Sequence, residues 1–128
     1  MTRVLALDYG SARCGCAISD PTATLATPLP PVERPGSEPG LKTIAELVRD
    51  QGAERVIVGL PVSLSGEEGA QAAETRGFVD QLTVVVDVPV DTWDERFTTR
   101  LARSTPGRHA EDSRAAAHLL QSWLEARR

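Results

Sequence analysis

Arg3-Val4-Leu5-Ala6-Leu7-Asp8-Tyr9-Gly10-Ser11 is a short apolar run that breaks off at a carboxylate and a glycine turn. Its length and its stop signal predict a buried strand ending in a tight turn. Cys14-Gly15-Cys16-Ala17-Ile18 follows at once and stops at Asp20-Pro21. A third run, Leu25 to Val32, contains Pro28, Pro30 and Pro31, which confine it to a sheet edge. Three strands joined by short turns predict an antiparallel meander.

Beyond the loop Arg34-Pro35-Gly36-Ser37-Glu38-Pro39-Gly40 the periodicity changes. Leu41, Ile44, Ala45, Leu47 and Val48 share one helical face, and Gly52 stands where a C-terminal glycine is expected. Val56-Ile57-Val58 reads as a strand buried on both faces. A glycine- and serine-bearing loop runs from Gly59 to Gly69, a helix from Ala70 to Leu82, and a strand from Val88 to Thr92. Two helices are expected to end the chain, the last placing Ala115, Ala116, Leu119, Leu120, Trp123 and Leu124 on one face. The order βββ-α-β-α-β-α predicts an α/β fold. Its mixed five-stranded sheet would join a three-strand antiparallel meander to two parallel strands, flanked by helices. Ribonuclease-H-like folds share that order, and residues 1–128 would form one such domain.

The 14 basic and 18 acidic residues give a net charge of −4, which argues against a generally basic nucleic-acid surface. The charges are uneven, however. Residues 1–90 carry 7 basic and 12 acidic groups, whereas residues 91–128 carry 7 basic and 6 acidic, all seven being Arg. Such a segment could pair phosphates locally. No membrane or export signal is visible, so a cytoplasmic protein is expected. Cys14 and Cys16 alternate on one strand face, read as small core residues, and cannot bridge without distortion.

Three acidic stretches could carry chemistry. Asp8 closes the first strand, either capping its turn or facing a metal or phosphate. Asp94-Glu95-Arg96 lies at the exit of the last strand, where either acid could serve a site or a helix start. Glu111-Asp112-Ser113 opens the last helix, with either acid able to cap it. Carboxylates converging from separate elements would repel one another unless hard divalent cations neutralised them. Two such ions about 4 Å apart can promote phosphodiester hydrolysis. Arg96, Arg100 and Arg114 would then meet backbone phosphates. No phosphate-loop or dinucleotide fingerprint is present, and Ser63, Ser65 and Ser113 have no evident His base with an acidic orienter.

Leu7-Asp8-Tyr9-Gly10, Arg13-Cys14-Gly15-Cys16-Ala17, Val58-Gly59-Leu60-Pro61, Asp94-Glu95-Arg96-Phe97-Thr98-Thr99 and Asp112-Ser113-Arg114-Ala115-Ala116 resemble, in order, the YqgF (RuvX) family. This is a family of pre-16S rRNA nucleases and Holliday-junction-resolvase-like proteins. The resemblance implies a ribonuclease-H-like nuclease with Asp8, Glu95 and Asp112 as catalytic, metal-binding carboxylates. Mg²⁺ or Mn²⁺, as a pair of ions, is implied as cofactor. Arg13, Arg96, Arg100 and Arg114 are the expected nucleic-acid contacts. Two departures stand out: Cys14 and Cys16 replace larger aliphatic residues, and the segment from Arg100 to Glu111 is short.

The expected function is therefore cleavage of phosphodiester bonds in 5′-end maturation of pre-16S rRNA, during ribosome biogenesis. The alternative is cleavage of branched DNA in recombination and repair by the same site. The partner would be nucleic acid, the protein a monomer or homodimer. Two other classes compete. Leu7-Asp8-Tyr9-Gly10-Ser11 also resembles the first phosphate loop of actin-like ATPases and sugar kinases, which need a second lobe. A non-enzymatic scaffold on ribosome precursors would not need the three carboxylates.

Overall fold

The computed structural model describes the backbone of residues 2–63, 65–97 and 110–127, and every side chain in those ranges except 97 and 110–112. Five strands, β1 (Val4–Asp8), β2 (Arg13–Ser19), β3 (Ala26–Glu33), β4 (Arg55–Leu60) and β5 (Val90–Asp94), form one sheet in the order β3-β2-β1-β4-β5. β1 to β3 pair antiparallel, and β4 and β5 continue parallel to β1. The helices are α1 (Glu38–Asp50), α2 (Ala70–Val85) and α3 (Ala110–Ala126). The expected meander and parallel pair are thus observed.

Alternation along β1 divides the core in two. Leu5 and Leu7 face α1 and α2, joining Cys16, Ile18, Val56, Val58, Ile44, Val48, Phe78 and Leu82. Val4 and Ala6 face the other way, with Ala17 and Ile57, against Ala116, Leu119, Leu120, Trp123 and Leu124 of α3. On the α3 side, Ala6 and Ala17 lie beside the larger Val4 and Ile57, and the helix supplies Leu119, Leu120, Trp123 and Leu124. Each large buried aliphatic side chain contributes on the order of 1.5–3 kcal/mol. Cys14 and Cys16 are both buried thiols, as expected of core residues.

Local signals explain the ends of α1. Ser37 caps its start by accepting from the Gly40 N–H at 3.1 Å, and Gly52 follows its end at φ +64°, a left-handed conformation that suits glycine. The three prolines of β3 lie on an edge strand. Pro30 and Pro31 fall where the β2–β3 register shifts, between the pairs Cys14↔Val32 and Cys16↔Leu29. One expectation needs correction. The last strand begins at Val90, two residues later than expected, and reaches Asp94 because β4 supplies partners from Val56 to Leu60. Of the two expected C-terminal helices, the structure shows α3, preceded at Glu95–Phe97 by one 3-10 turn. Residues 98–109, where the other would fall, lie outside the described residues.

Candidate nuclease site

The carboxyl ends of the three parallel strands meet at one edge of the sheet. Leu7 pairs with Val58, and Gly59 pairs with Trp93. Asp8 therefore lies one step beyond the last β1–β4 pair, level with Gly59. It alternates with Val4 and Ala6, so its side chain falls on the α3 side.

Glu95 reaches the same side from β5. A Cβ built on Gly59 would lie 2.8 Å from Glu95 Oε2, 3.2 Å from its Cγ and 3.2 Å from Leu119 Cδ2. The Glu95 carboxylate thus occupies the space that any side chain at position 59 would fill, between the end of β4 and α3. Here glycine is required by close approach rather than by a backbone angle. Trp93, two residues earlier, packs into the α3-side core and leads the chain to this face.

Asp94 has the opposite assignment. It alternates with Trp93, and its carboxylate is gripped by Arg96 through Nε at 2.9 and 3.1 Å and Nη2 at 2.6 Å, with the Arg96 backbone N–H donating at 2.8 Å. The guanidinium holds the Asp94 carboxyl below its usual range, ahead of the raising effect of burial. Arg96 in turn lies beside Gly66 of the loop after β4. Asp94 and Arg96 therefore form a local clamp at the end of β5.

The third expected carboxylate, Asp112, belongs to the first turn of α3, and its side chain lies outside the described ones. Its neighbour Ser113 is buried and shows how that turn is held. The Ser113 hydroxyl accepts from the Cys16 N–H at 3.3 Å and donates to the Leu29 carbonyl. It bridges β2 and β3 at the register shift and pins the start of α3 to the sheet. Nothing in the residue order announces that role, although a Ser in the first turn facing a proline-broken strand pair is a usable signal. Arg13 is exposed at the start of β2, Arg114 is half-buried on α3, and Arg100 lies outside the described residues. Among the described residues, no three His, Cys, Asp or Glu side chains are placed to hold a metal ion together. None of their helices is long and apolar enough to cross a membrane.

A mixed sheet in this order, with α3 packed across β1, β2 and β3, is the ribonuclease-H-like fold of the RuvC-type resolvases. Thermus thermophilus RuvC in complex with Holliday junction substrate superposes with a TM-score of 0.62 at 16% identity, covering 99% of this chain and 96% of that one. Fowlpox virus resolvase, in complex with Holliday junction DNA, gives 0.59 at 12% identity over 98% of both chains. The chain itself belongs to the RuvX family, described as "RuvX: Holliday junction resolvase", whose pattern matches residues 2–126. Relatives named "Putative pre-16S rRNA nuclease" include one from Chloroflexus aggregans, 41% identical over 98% of this chain and 94% of the relative. Another, from Desulforudis audaxviator, is 39% identical over 98% of this chain and 96% of the relative.

Proposed function

We propose that residues 1–128 form one divalent-metal-dependent endonuclease domain that matures the 5′ end of pre-16S rRNA in the cytoplasm. The observation that carries this reading is the seating of Glu95 against Gly59, on the sheet face to which Asp8 points. The relatives' shared name supplies the substrate. The donor set suits a hard divalent cation such as Mg²⁺ or Mn²⁺: carboxylate oxygens come from separate elements, and Gly59 leaves the room that the Glu95 carboxylate takes. Asp8, Glu95 and Asp112 would hold the ions. Bound there, they supply charge neutralisation for the carboxylates and the scissile phosphate, and acidify the attacking water.

The chain's own residues set the geometry. Asp8 and Glu95 are presented from strand ends, whose backbone is fixed by the ladder, while Ser113 anchors the turn that bears Asp112. Arg13, Arg100 and Arg114 would hold the flanking phosphates. Arg96 would add to them from its place on Asp94. Hydrolysis adds water to phosphorus, breaks one P–O bond and returns a proton to the leaving oxygen.

The family's own description and the resolvase fold favour a second reading, cleavage of branched DNA in recombination and repair by the same carboxylates. Cutting two strands of a junction favours a symmetric dimer over a monomer.

A panel of a pre-16S 5′ fragment, single-stranded RNA and DNA, and a four-way junction separates these readings. It is incubated with Mn²⁺, Mg²⁺ or EDTA, using wild type and Asp8→Asn. Metal-dependent cutting of the rRNA fragment, lost in Asp8→Asn, supports the first reading. Preference for the junction supports the second. Equal RNA binding by both proteins with no cutting would replace both with a scaffold role.

A further inference from the structure

Tyr9 follows Asp8 and turns to the other face of the sheet. Its ring stacks on Phe78 of α2, with centroids 4.6 Å and planes 26° apart. Beside this pair is an open cavity of about 530 Å³, whose wall includes Ser11, Arg34, Gly36, Glu74 and Gln81. Glu74, Phe78 and Gln81 recur at helical spacing and so share one face of α2. The Tyr9 hydroxyl donates to Glu74 Oε2 at 2.8 Å. A Cβ on Gly36 would lie 3.8 Å from both Gln81 Oε1 and the Tyr9 oxygen, so the bare backbone of Gly36 keeps the space between them open.

We infer that this cavity is a subsite for one nucleotide beside the cleaved phosphodiester, its base received next to Tyr9 and Phe78; the inference rests on the nuclease reading. The volume falls within the roughly 300–1,000 Å³ typical of small-molecule sites. The wall has the mixed chemistry of base recognition: apolar ring surface, a carboxylate that accepts, and an amide that both donates and accepts. Arg34 and Ser11 add a cation and a hydroxyl suited to a phosphate. Glu74 makes the same cavity a poor host for an isolated anion. Position supplies the remaining argument. Asp8 and Tyr9 are consecutive, with Cα atoms about 3.8 Å apart, and project to opposite faces. A strand laid over the end of β1 with one phosphate at Asp8 carries a neighbouring base, if unstacked, to the Tyr9 side. Unpaired and extruded bases are the ones proteins read this way.

The test joins binding to cleavage on the full chain. AMP, GMP, CMP, UMP and ribose 5-phosphate are titrated in EDTA while NMR follows the ring of Tyr9, the chain's single tyrosine. At least one nucleotide should saturate and shift the ring, and ribose 5-phosphate should not. Gly36→Leu, which fills the cavity, and Gln81→Ala, on an exposed helix position, should each weaken binding about tenfold or more, the scale of one lost base-stacking contact. In cleavage, an abasic nucleotide at one fixed position beside the cut should raise the wild-type KM about tenfold and leave the Gly36→Leu KM unchanged. Cutting with no sensitivity at any abasic position, or a Tyr9 ring unmoved by every nucleotide, overturns the subsite and spares the nuclease reading. Nucleotide binding with the expected variant losses, but no cutting of any substrate, supports a nucleotide site here and overturns the nuclease reading alone.

Discussion

At the carboxyl end of the sheet, two faces one residue apart are built for different work. On the α3 face, Asp8 and Glu95 arrive from separate strands around Gly59. On the α1–α2 side, Tyr9 stacks on Phe78 and hydrogen-bonds Glu74, and Asp94, alternating with Trp93, is clamped by Arg96. The second arrangement satisfies its polar groups with partners from the same chain. In the proposed nuclease, the first would hold a divalent cation through its acids. Adjacent carboxylates therefore meet different neighbours, because strand alternation sends them to opposite faces.

The sharpest way to break this contrast is to neutralise each acid in turn. Asp8→Asn and Glu95→Gln should each lower metal-dependent cleavage by at least about a hundredfold, in the range seen when one transition-state-stabilising group is lost. Asp94→Asn should lower it less than about tenfold, since it only loosens a clamp. Single-turnover rates at saturating Mn²⁺ decide this, and an Asp94→Asn loss equal to that of Glu95→Gln would erase the distinction between the faces.

Gly59→Ala tests the seat of Glu95 directly. The added methyl meets Glu95 Oε2 at 2.8 Å and Leu119 at 3.2 Å. Cleavage should drop about tenfold or more, with a destabilisation of about 1–3 kcal/mol from overpacking. Urea unfolding beside kcat measures both, and unchanged activity would mean that Glu95 is not held where Gly59 leaves room.

Ser113→Ala leaves the Cys16 N–H and the Leu29 carbonyl without their bridging hydroxyl. A loss of about 1–3 kcal/mol is expected, as for a buried polar group stripped of its partner. Hydrogen exchange at the Cys16 amide should accelerate in this variant. A wild-type exchange rate would show that the bridge contributes nothing.

The smallest effect concerns the opposite face. Burial, aided by the Glu74 carboxylate, pushes the Tyr9 phenol up to about 12. The unfolded value is about 10, so the protonated phenol's contribution to stability is complete below pH 10 and disappears as the pH climbs through 12. Tyrosinate absorbance should titrate near 12 in the folded protein and lower in Glu74→Gln. A wild-type midpoint near 10 would mean that the Tyr9–Glu74 contact does not persist in solution.

Local periodicity was enough to order the strands and helices, since alternation and helical spacing survive in the chain as written. The prolines of β3 placed it at an edge because an N–H missing from the ladder is tolerated there. The shift of β5 by two residues was not legible, because the end of a parallel strand depends on how far its distant partner runs. The choice of Glu95 over Asp94 for the proposed site came from family resemblance alone, because short-range spacing treats the two acids alike.

By itself the sequence determined the element order, the apolar faces, the buried thiols and the acids at strand and helix ends, all of which follow from short-range spacing. Only the tertiary structure decided which acids share a face. It placed Gly59 beneath Glu95, set Arg96 on Asp94 and tied Ser113 across β2 and β3. Alternation says that adjacent residues point apart, but register and helix docking decide what each one meets.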